Sequence, residues 1–318
     1  MEYIIGIDGG GTGSTCAIAD ITGRILFTCK GGPTNFLRFD IDEVTLTIFR
    51  LIEKCKEHLK IDFSEIVSVV VGTAGGGETE NAAALEKNLE DLFKGKKILI
   101  RKIKVVSDAL IALEGAFSGG PGSILISGTG SIIFGKNQKG VVFRFGGYGS
   151  KIGDEGGAYS IARKGMNAVS KDFDGRGEKT LITKLVIEKY GIDSGEKLIN
   201  EIYINNFDIA SAAPLVIEAA VQGDRTAIKI LDEETDELII HIKRMTELMN
   251  ERRMKISFIG TLISNKNFYS DLLRSKVKSE VKNIEIVKPE NSPEAGAVLL
   301  AIKLNHGDRR VCAENTEP

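Results

Sequence analysis

Asp8-Gly9-Gly10-Gly11-Thr12-Gly13-Ser14 lies between two apolar runs, Tyr3 to Ile7 and Cys16 to Ala19. The pattern predicts a strand, a tight glycine turn and a second strand. Glycine lets the backbone approach a ligand with no Cβ in the way. Successive N–H groups in such a turn form a concavity suited to an anion such as phosphate. The carboxylate of Asp8, at the mouth of the turn, suits Mg²⁺, directly or through water. A plain hairpin turn carries the same signature, so the stretch takes its meaning from the rest of the chain.

Working outward, residues 3–31 read as three short strands, with turns at Gly9–Gly13 and Thr22-Gly23. A Gly-Gly-Pro-Thr-Asn loop follows at 31–35. Val44, Ile48, Leu51, Ile52, Cys55 and Leu59 recur at helical spacing, which predicts an amphipathic helix over 41–59. The continuous β-branched run Val67 to Val71 predicts a buried strand ending in the glycines of 72–77. A helix over about 79–93, a strand ending at Val105-Val106 and a short helix from Ser107-Asp108-Ala109 come next.

The plan then begins again. Ser123 to Ile133 reads as strand, glycine turn and strand, with Gly128-Thr129-Gly130-Ser131 in the turn as Gly11-Thr12-Gly13-Ser14 is in the first. A repeat at half-chain scale predicts two like lobes, each with a phosphate-binding hairpin. The long polar glycine loop 146–157 leads into a helix over about 157–170. Helices are expected at about 178–190, 194–203, 208–222 and 225–252, and strands at 255–259 and 284–287. Ser292-Pro293-Glu294 reads as an N-cap with proline at the first helical position, opening a helix to about Ile302. Strands and helices alternate, so the class is α/β with mixed sheets. The apolar stripes of the helical middle read as packing faces.

The 318 residues suffice for two ordinary domains. A net charge of −2 offers no nucleic-acid surface and no polybasic membrane patch. Apolar runs are strand-sized, which predicts no membrane span, and the start of the chain does not read as a signal peptide. Cys16, Cys29, Cys55 and Cys312 are scattered with no CxxC pair. That favours a reducing cytoplasm and argues against zinc or an iron–sulfur cluster. Two phosphate loops on two lobes suggest a nucleoside triphosphate with Mg²⁺, and phosphoryl transfer then needs a base. A lone Asp at a strand end also serves as a helix N-cap, so spacing alone stops at a two-lobed phosphate-binding protein.

The assembled motifs go further. Gly6-Ile7-Asp8-Gly9-Gly10-Gly11-Thr12, Pro33-Thr34-Asn35, Gly72-Thr73-Ala74-Gly75, Ser107-Asp108-Ala109, Ile126-Ser127-Gly128-Thr129-Gly130-Ser131, Gly146-Gly147-Tyr148-Gly149, Gly153-Asp154-Glu155-Gly156 and Ala219 to Asp224 stand in this order from Ile5 to about Ala301. Together they resemble the N-acetylglucosamine kinase branch of the sugar kinase, heat-shock ATPase and actin superfamily, also called the BadF-type ATPase family. The stretch Phe173 to Thr180 also resembles bacterial kinases of N-acetylglucosamine and N-acetylmuramic acid.

The resemblance implies an actin-like ATPase fold of two ribonuclease-H-like lobes with a cleft between them. It implies an N-terminal lobe of 1–117 plus about 292–304, a C-terminal lobe of 118–291 and a polar tail of 305–318. The implied activity is transfer of the γ-phosphoryl group of ATP to an amino-sugar hydroxyl, at carbon 6, in a cytoplasmic homodimer. Gly10, Gly11 and Thr12 match the first phosphate loop, with Asp8 near Mg²⁺, and Gly128, Thr129 and Gly130 match the second. Asp108 matches the general base; Asn35, Gly147, Tyr148 and Asp154 match sugar-binding positions. Ala210, Gly260, Thr261 and Ser264 lie where the family holds adenosine.

Tyr148-Gly149-Ser150 stands where the family often has Trp-Gly-His, which leaves the sugar open between N-acetylated sugars, glucosamine and a broader hexokinase range. A non-catalytic sugar- and nucleotide-binding regulator is the reading that Asp108 argues against. Family members that drive electrons through an iron–sulfur cluster need cysteines in the second half, where this chain has only Cys312.

Overall fold

In the computed structural model, residues 1–36, 38–77 and 79–307 are described. The chain forms β1 (Tyr3–Gly9), β2 (Ser14–Asp20), β3 (Ile25–Gly31), α1 (Ile41–Leu59), β4 (Ile66–Thr73), α2 (Thr79–Gly95), β5 (Lys102–Ser107) and α3 (Asp108–Ala116). It continues with β6 (Gly122–Ser127), β7 (Ser131–Lys136), β8 (Val142–Gly146), α4 (Ala158–Phe173), α5 (Leu181–Tyr190), α6 (Gly195–Tyr203), a 3₁₀ turn (Ile209–Ala212), α7 (Ala213–Val221) and α8 (Arg225–Met249). Last come β9 (Met254–Ile259), α9 (Thr261–Ser264), α10 (Phe268–Glu280), β10 (Ile284–Val287) and α11 (Pro293–Asn305).

Two compact units result. The first holds Met1–Gly122, Phe134–Phe143 and the segment from Lys288; the second holds Ser123–Ile133 and Arg144–Val287. In the first unit the strand order is β3-β2-β1-β4-β5. The first three strands pair antiparallel, and β1, β4 and β5 run parallel. Alternation along the strands sends Ile5, Ile7, Cys16, Ile18, Val69 and Val71 to one face, against Val44, Ile48, Leu51 and Ile52 of α1 and Leu85 and Leu89 of α2. The other face carries Gly6 and Ser68 and takes α11: the Ser68 hydroxyl donates to the Ala301 carbonyl at 3.0 Å. A Cβ on Gly6 would stand 2.5 Å from the Glu294 carbonyl oxygen, so only glycine lets this helix so close.

The second sheet repeats the plan as β8-β7-β6-β9-β10, with β6, β9 and β10 parallel. The half-chain repeat therefore extends from the turns to the whole strand order.

Three local features depart from the sequence reading. The helix expected over 208–222 is a 3₁₀ turn followed by α7, with proline at the start of α7. α10, absent from the sequence reading, buries Tyr269, Leu273 and Val277 and opens with an Asn267–Ser270 capping box. The cysteines that look scattered are not: Cys16 of β2 pairs in register with Cys29 of β3, and the Cys55 sulfur lies 3.5 Å from that of Cys16 and 3.8 Å from that of Cys29. Cys312 and the rest of the tail beyond 307 lie outside the described residues. No described helix is long and apolar enough to cross a membrane.

Candidate active site

In the first unit, β1 ends at Gly9 and the chain reverses to β2 through the expected glycine turn, closed by the Gly10 N–H on the Gly13 carbonyl at 3.0 Å. The loop of Thr34 and Asn35 is clamped onto it. Buried Thr34 donates its N–H to the Gly10 carbonyl at 3.1 Å, and its hydroxyl lies 2.8 Å from that of Ser14. Thr73, at the end of β4, donates to the Thr34 carbonyl at 2.8 Å. The clamp brings Asn35 beside the turn, its Nδ2 lying 3.9 Å from where a Cβ on Gly11 would sit.

Asp108 opens α3 at the end of β5. The capping role belongs to its neighbour: the Ser107 hydroxyl accepts from the Leu110 N–H at 3.1 Å. The Asp108 carboxylate instead accepts the next N–H along, that of Ala109, at 2.8 Å. Burial raises its pKa above the usual carboxylate value, against that hydrogen bond. Asp8 is pushed to about 6, first by burial and then by the charges of Glu294 and Asp108. Glu294, in the first turn of α11, was legible in sequence only as a helix-start residue. This acidic environment is one that a divalent cation would relieve.

The second unit builds its turn differently. The Gly128 N–H donates to the Gly130 carbonyl at 2.9 Å. The start of α4 then bonds back to the turn: the Ala158 N–H to the Gly128 carbonyl at 2.9 Å and the Tyr159 N–H to the Thr129 carbonyl at 3.0 Å. Gly130 faces Asp154 so closely that a Cβ would stand 2.5 Å from its Cγ. Asp154 holds a left-handed backbone with φ of 61°, uncommon outside glycine and indicative of a fixed loop. Its carboxyl is raised by burial, against hydrogen bonds from the Gly149 and Ser131 backbone.

The end of the 146–157 loop is fastened by groups that no pattern along the chain singles out. Buried Glu234 of α8 accepts from the Gly156 N–H at 2.5 Å and from the Ser160 hydroxyl at 2.8 Å. The Ser127 and Tyr269 hydroxyls both donate to the Gly156 carbonyl, at 2.8 and 3.0 Å. Any one of Asp232, Glu233 and Glu234 could be the inward residue by composition; the helical phase selects Glu234.

Gly260 lies against the second turn, because a Cβ on it would come within 3.2 Å of the Gly128 nitrogen. Thr261 and Ser264 follow on α9, with the Ser264 N–H bonded to the Gly260 carbonyl at 2.9 Å. Ala210 sits on the 3₁₀ turn that packs against α4. Gly147 is pressed on Ile132, while Tyr148 is 73% exposed. The structure thus gathers Asp8, Gly10–Thr12, Asn35 and Asp108 in the first unit. It gathers Gly128–Gly130, Asp154, Gly260 and the α9 residues in the second.

Residues 5–301 match the BadF/BadG/BcrA/BcrD ATPase family. The N-acetylmuramic acid/N-acetylglucosamine kinase of Clostridium acetobutylicum is 34% identical over 306 residues, which cover 95% of this chain and 98% of that protein. The N-acetyl-D-glucosamine kinase of Dictyostelium discoideum is 30% identical over 316 residues, covering 95% and 98%. A solved structure from Chromobacterium violaceum superposes with a TM-score of 0.70 at 21% identity, covering 95% of this chain and 99% of that one, a likeness of fold.

Proposed function

The chain belongs to the BadF/BadG/BcrA/BcrD ATPase family, and from that premise we propose that it is an ATP-dependent amino-sugar kinase. It transfers the γ-phosphoryl group of ATP to the 6-hydroxyl of a sugar such as N-acetylglucosamine or N-acetylmuramic acid. The observation that carries the reading is Asp108: a solvent-accessible carboxyl at a strand end, raised by desolvation and relieved of capping by Ser107. Ionised, it accepts the proton of the sugar hydroxyl while that oxygen attacks the γ-phosphorus and ADP departs.

The turns Gly10-Gly11-Thr12 and Gly128-Thr129-Gly130 bind the nucleotide phosphates, the N–H groups of Gly11, Thr12, Thr129 and Gly130 offsetting their charge while those of Gly10 and Gly128 close the turns. Asn35, Gly147, Tyr148 and Asp154 orient the sugar, with the two polar side chains satisfying its hydroxyls. Ala210, Gly260, Thr261 and Ser264 hold the adenosine. Asp8, with Glu294 beside it, would hold Mg²⁺, directly or through water, and the cation would neutralise phosphate charge. We place the enzyme in the cytoplasm as a homodimer, which light scattering on the purified protein tests.

A coupled ADP-release assay over N-acetylglucosamine, N-acetylmuramic acid, glucosamine and glucose tests the function. Turnover should require both Mg²⁺ and an amino sugar. The exposure of Tyr148, in place of a family tryptophan, favours one second reading, a broader hexokinase or glucosamine kinase. Equal turnover of glucose would select that reading, and no turnover of any of the four sugars would reject both.

A further inference from the structure

Cys16, Cys29 and Cys55 belong to three different elements, yet their sulfurs all lie within 4.8 Å of one another. None is in a disulfide. Cys16 and Cys55 are fully buried under the first sheet, and Cys29 is half-buried on the edge strand β3. Small buried thiols are common core residues, so packing alone is the competing account.

Two observations go beyond packing. The first is geometric. A zinc–sulfur bond of about 2.3 Å at a tetrahedral angle places neighbouring sulfurs about 3.8 Å apart. The Cys29–Cys55 separation is 3.8 Å and the Cys16–Cys55 separation is 3.5 Å. The second is access: the two buried sulfurs are joined by Cys29, half-exposed on the edge strand β3, so an ion can reach the group from solvent. The thiolate, not the thiol, is the metal ligand.

We propose that Cys16, Cys29 and Cys55 form a three-sulfur site for one thiophilic d¹⁰ cation, Zn²⁺ or Cu⁺, entered from the half-exposed Cys29 side. Soft thiolate sets select these ions. Each thiol proton leaves to solvent as its metal–sulfur bond forms, and no group is oxidised or reduced. The bound ion would cross-link β2, β3 and α1. β2 and β3 lead from the first glycine turn to the Thr34 clamp, so the ion would stiffen the turn without touching it.

The test uses the full chain, reduced and stripped of metal, with Cd²⁺ as the probe. Titration should raise a thiolate-to-cadmium charge-transfer band in the ultraviolet that saturates at one ion per chain. Zn²⁺ or Cu⁺ should then displace it. C29S changes a half-exposed strand residue, and a native circular-dichroism spectrum confirms its fold. It should weaken Cd²⁺ binding by more than about 100-fold, the upper end of what losing even an outer-shell partner costs. C312S should bind as the wild type does. Excess Cd²⁺ should raise Tm by roughly 5 °C in the wild type and not in C29S. A band that is absent, survives C29S or vanishes in C312S overturns the site. So does failure of both competitors to displace Cd²⁺, or a Tm that does not respond.

Discussion

The two glycine turns share four residues in order, Gly-Thr-Gly-Ser, and the same strand order around them. Their surroundings differ. The turn of the first unit has acidic neighbours: Asp8 is raised to about 6 by burial and by the charges of Glu294 and Asp108. The turn of the second unit is braced by the first N–H groups of α4 and faces the Asp154 carboxylate. The first environment suits a cation and a base. The second lies at the positive end of a 16-residue helix whose first two N–H groups cap the turn's own carbonyls, so the helix dipole is what favours an anion there. One turn motif therefore sits in two different electrostatic settings, and what flanks it sets each.

Asp108→Asn should break this comparison most severely. It removes the base and leaves both turns in place, so sugar-dependent ADP release should fall about 10²- to 10⁴-fold while nucleotide binding persists. Near-normal turnover would reject Asp108 as the base.

Asp8→Asn should cost about 100-fold in Mg²⁺-dependent turnover and yet stabilise the metal-free protein. The sign follows from the raised pKa. The folded state holds the Asp8 proton more tightly than the unfolded chain, so stability falls as pH rises from about 4 to about 6 and stays reduced above. The rise from the ordinary carboxylate value to about 6 corresponds to about 3 kcal/mol, which the neutral amide would recover at pH 7. Denaturant melts of the two proteins measure it, and a less stable variant would contradict the acidic-neighbour reading.

A glycine pair sharpens the second turn. Gly130→Ala meets the Asp154 carboxylate and should lose about 2 kcal/mol, whereas Gly128→Ala, with nothing within 4 Å, should stay within about 0.5 kcal/mol. Equal losses in urea melts would remove Asp154 as the wall of that turn. The smallest effect is in pH. At limiting Mg²⁺, kcat/KM should drop by up to about tenfold per pH unit below about 6, as Asp8 takes up its proton. At saturating Mg²⁺ that limb should move to lower pH.

Much of this was readable in the sequence because it is local. The turns, the strands beside them and most helices follow from periodicity and glycine placement, and the repeat follows from comparing two short stretches. What escaped is what distant segments do to one another. The capping box of α10 and its buried Tyr269, Leu273 and Val277 are in plain sequence, but its apolar stripe is thin among charges. The partners of Glu234 at Gly156 and Ser160 lie more than 70 residues away, and no pattern along α8 names them. Cys16 and Cys29 meet because of the β2–β3 register, and Cys55 joins them through the phase of α1. Spacing rules for metal motifs look for neighbours in sequence and miss such a set. Glu294 is similar: an N-terminal helix residue by sequence, a charge beside Asp8 only once α11 rests on β1.

The close approach of α11 to Gly6 also sets a timetable for synthesis. β1 emerges from the ribosome long before the helix that covers one of its faces, which begins at Pro293. At 5–20 residues per second, roughly ten to thirty seconds separate the first unit's Phe134–Phe143 segment from the one that starts at Lys288. Throughout that interval one side of β1 and β4 has α3 against it but lacks α11. A nascent chain arrested before α11 should therefore be bound by chaperones and cut by protease, and release of the last residues should end both.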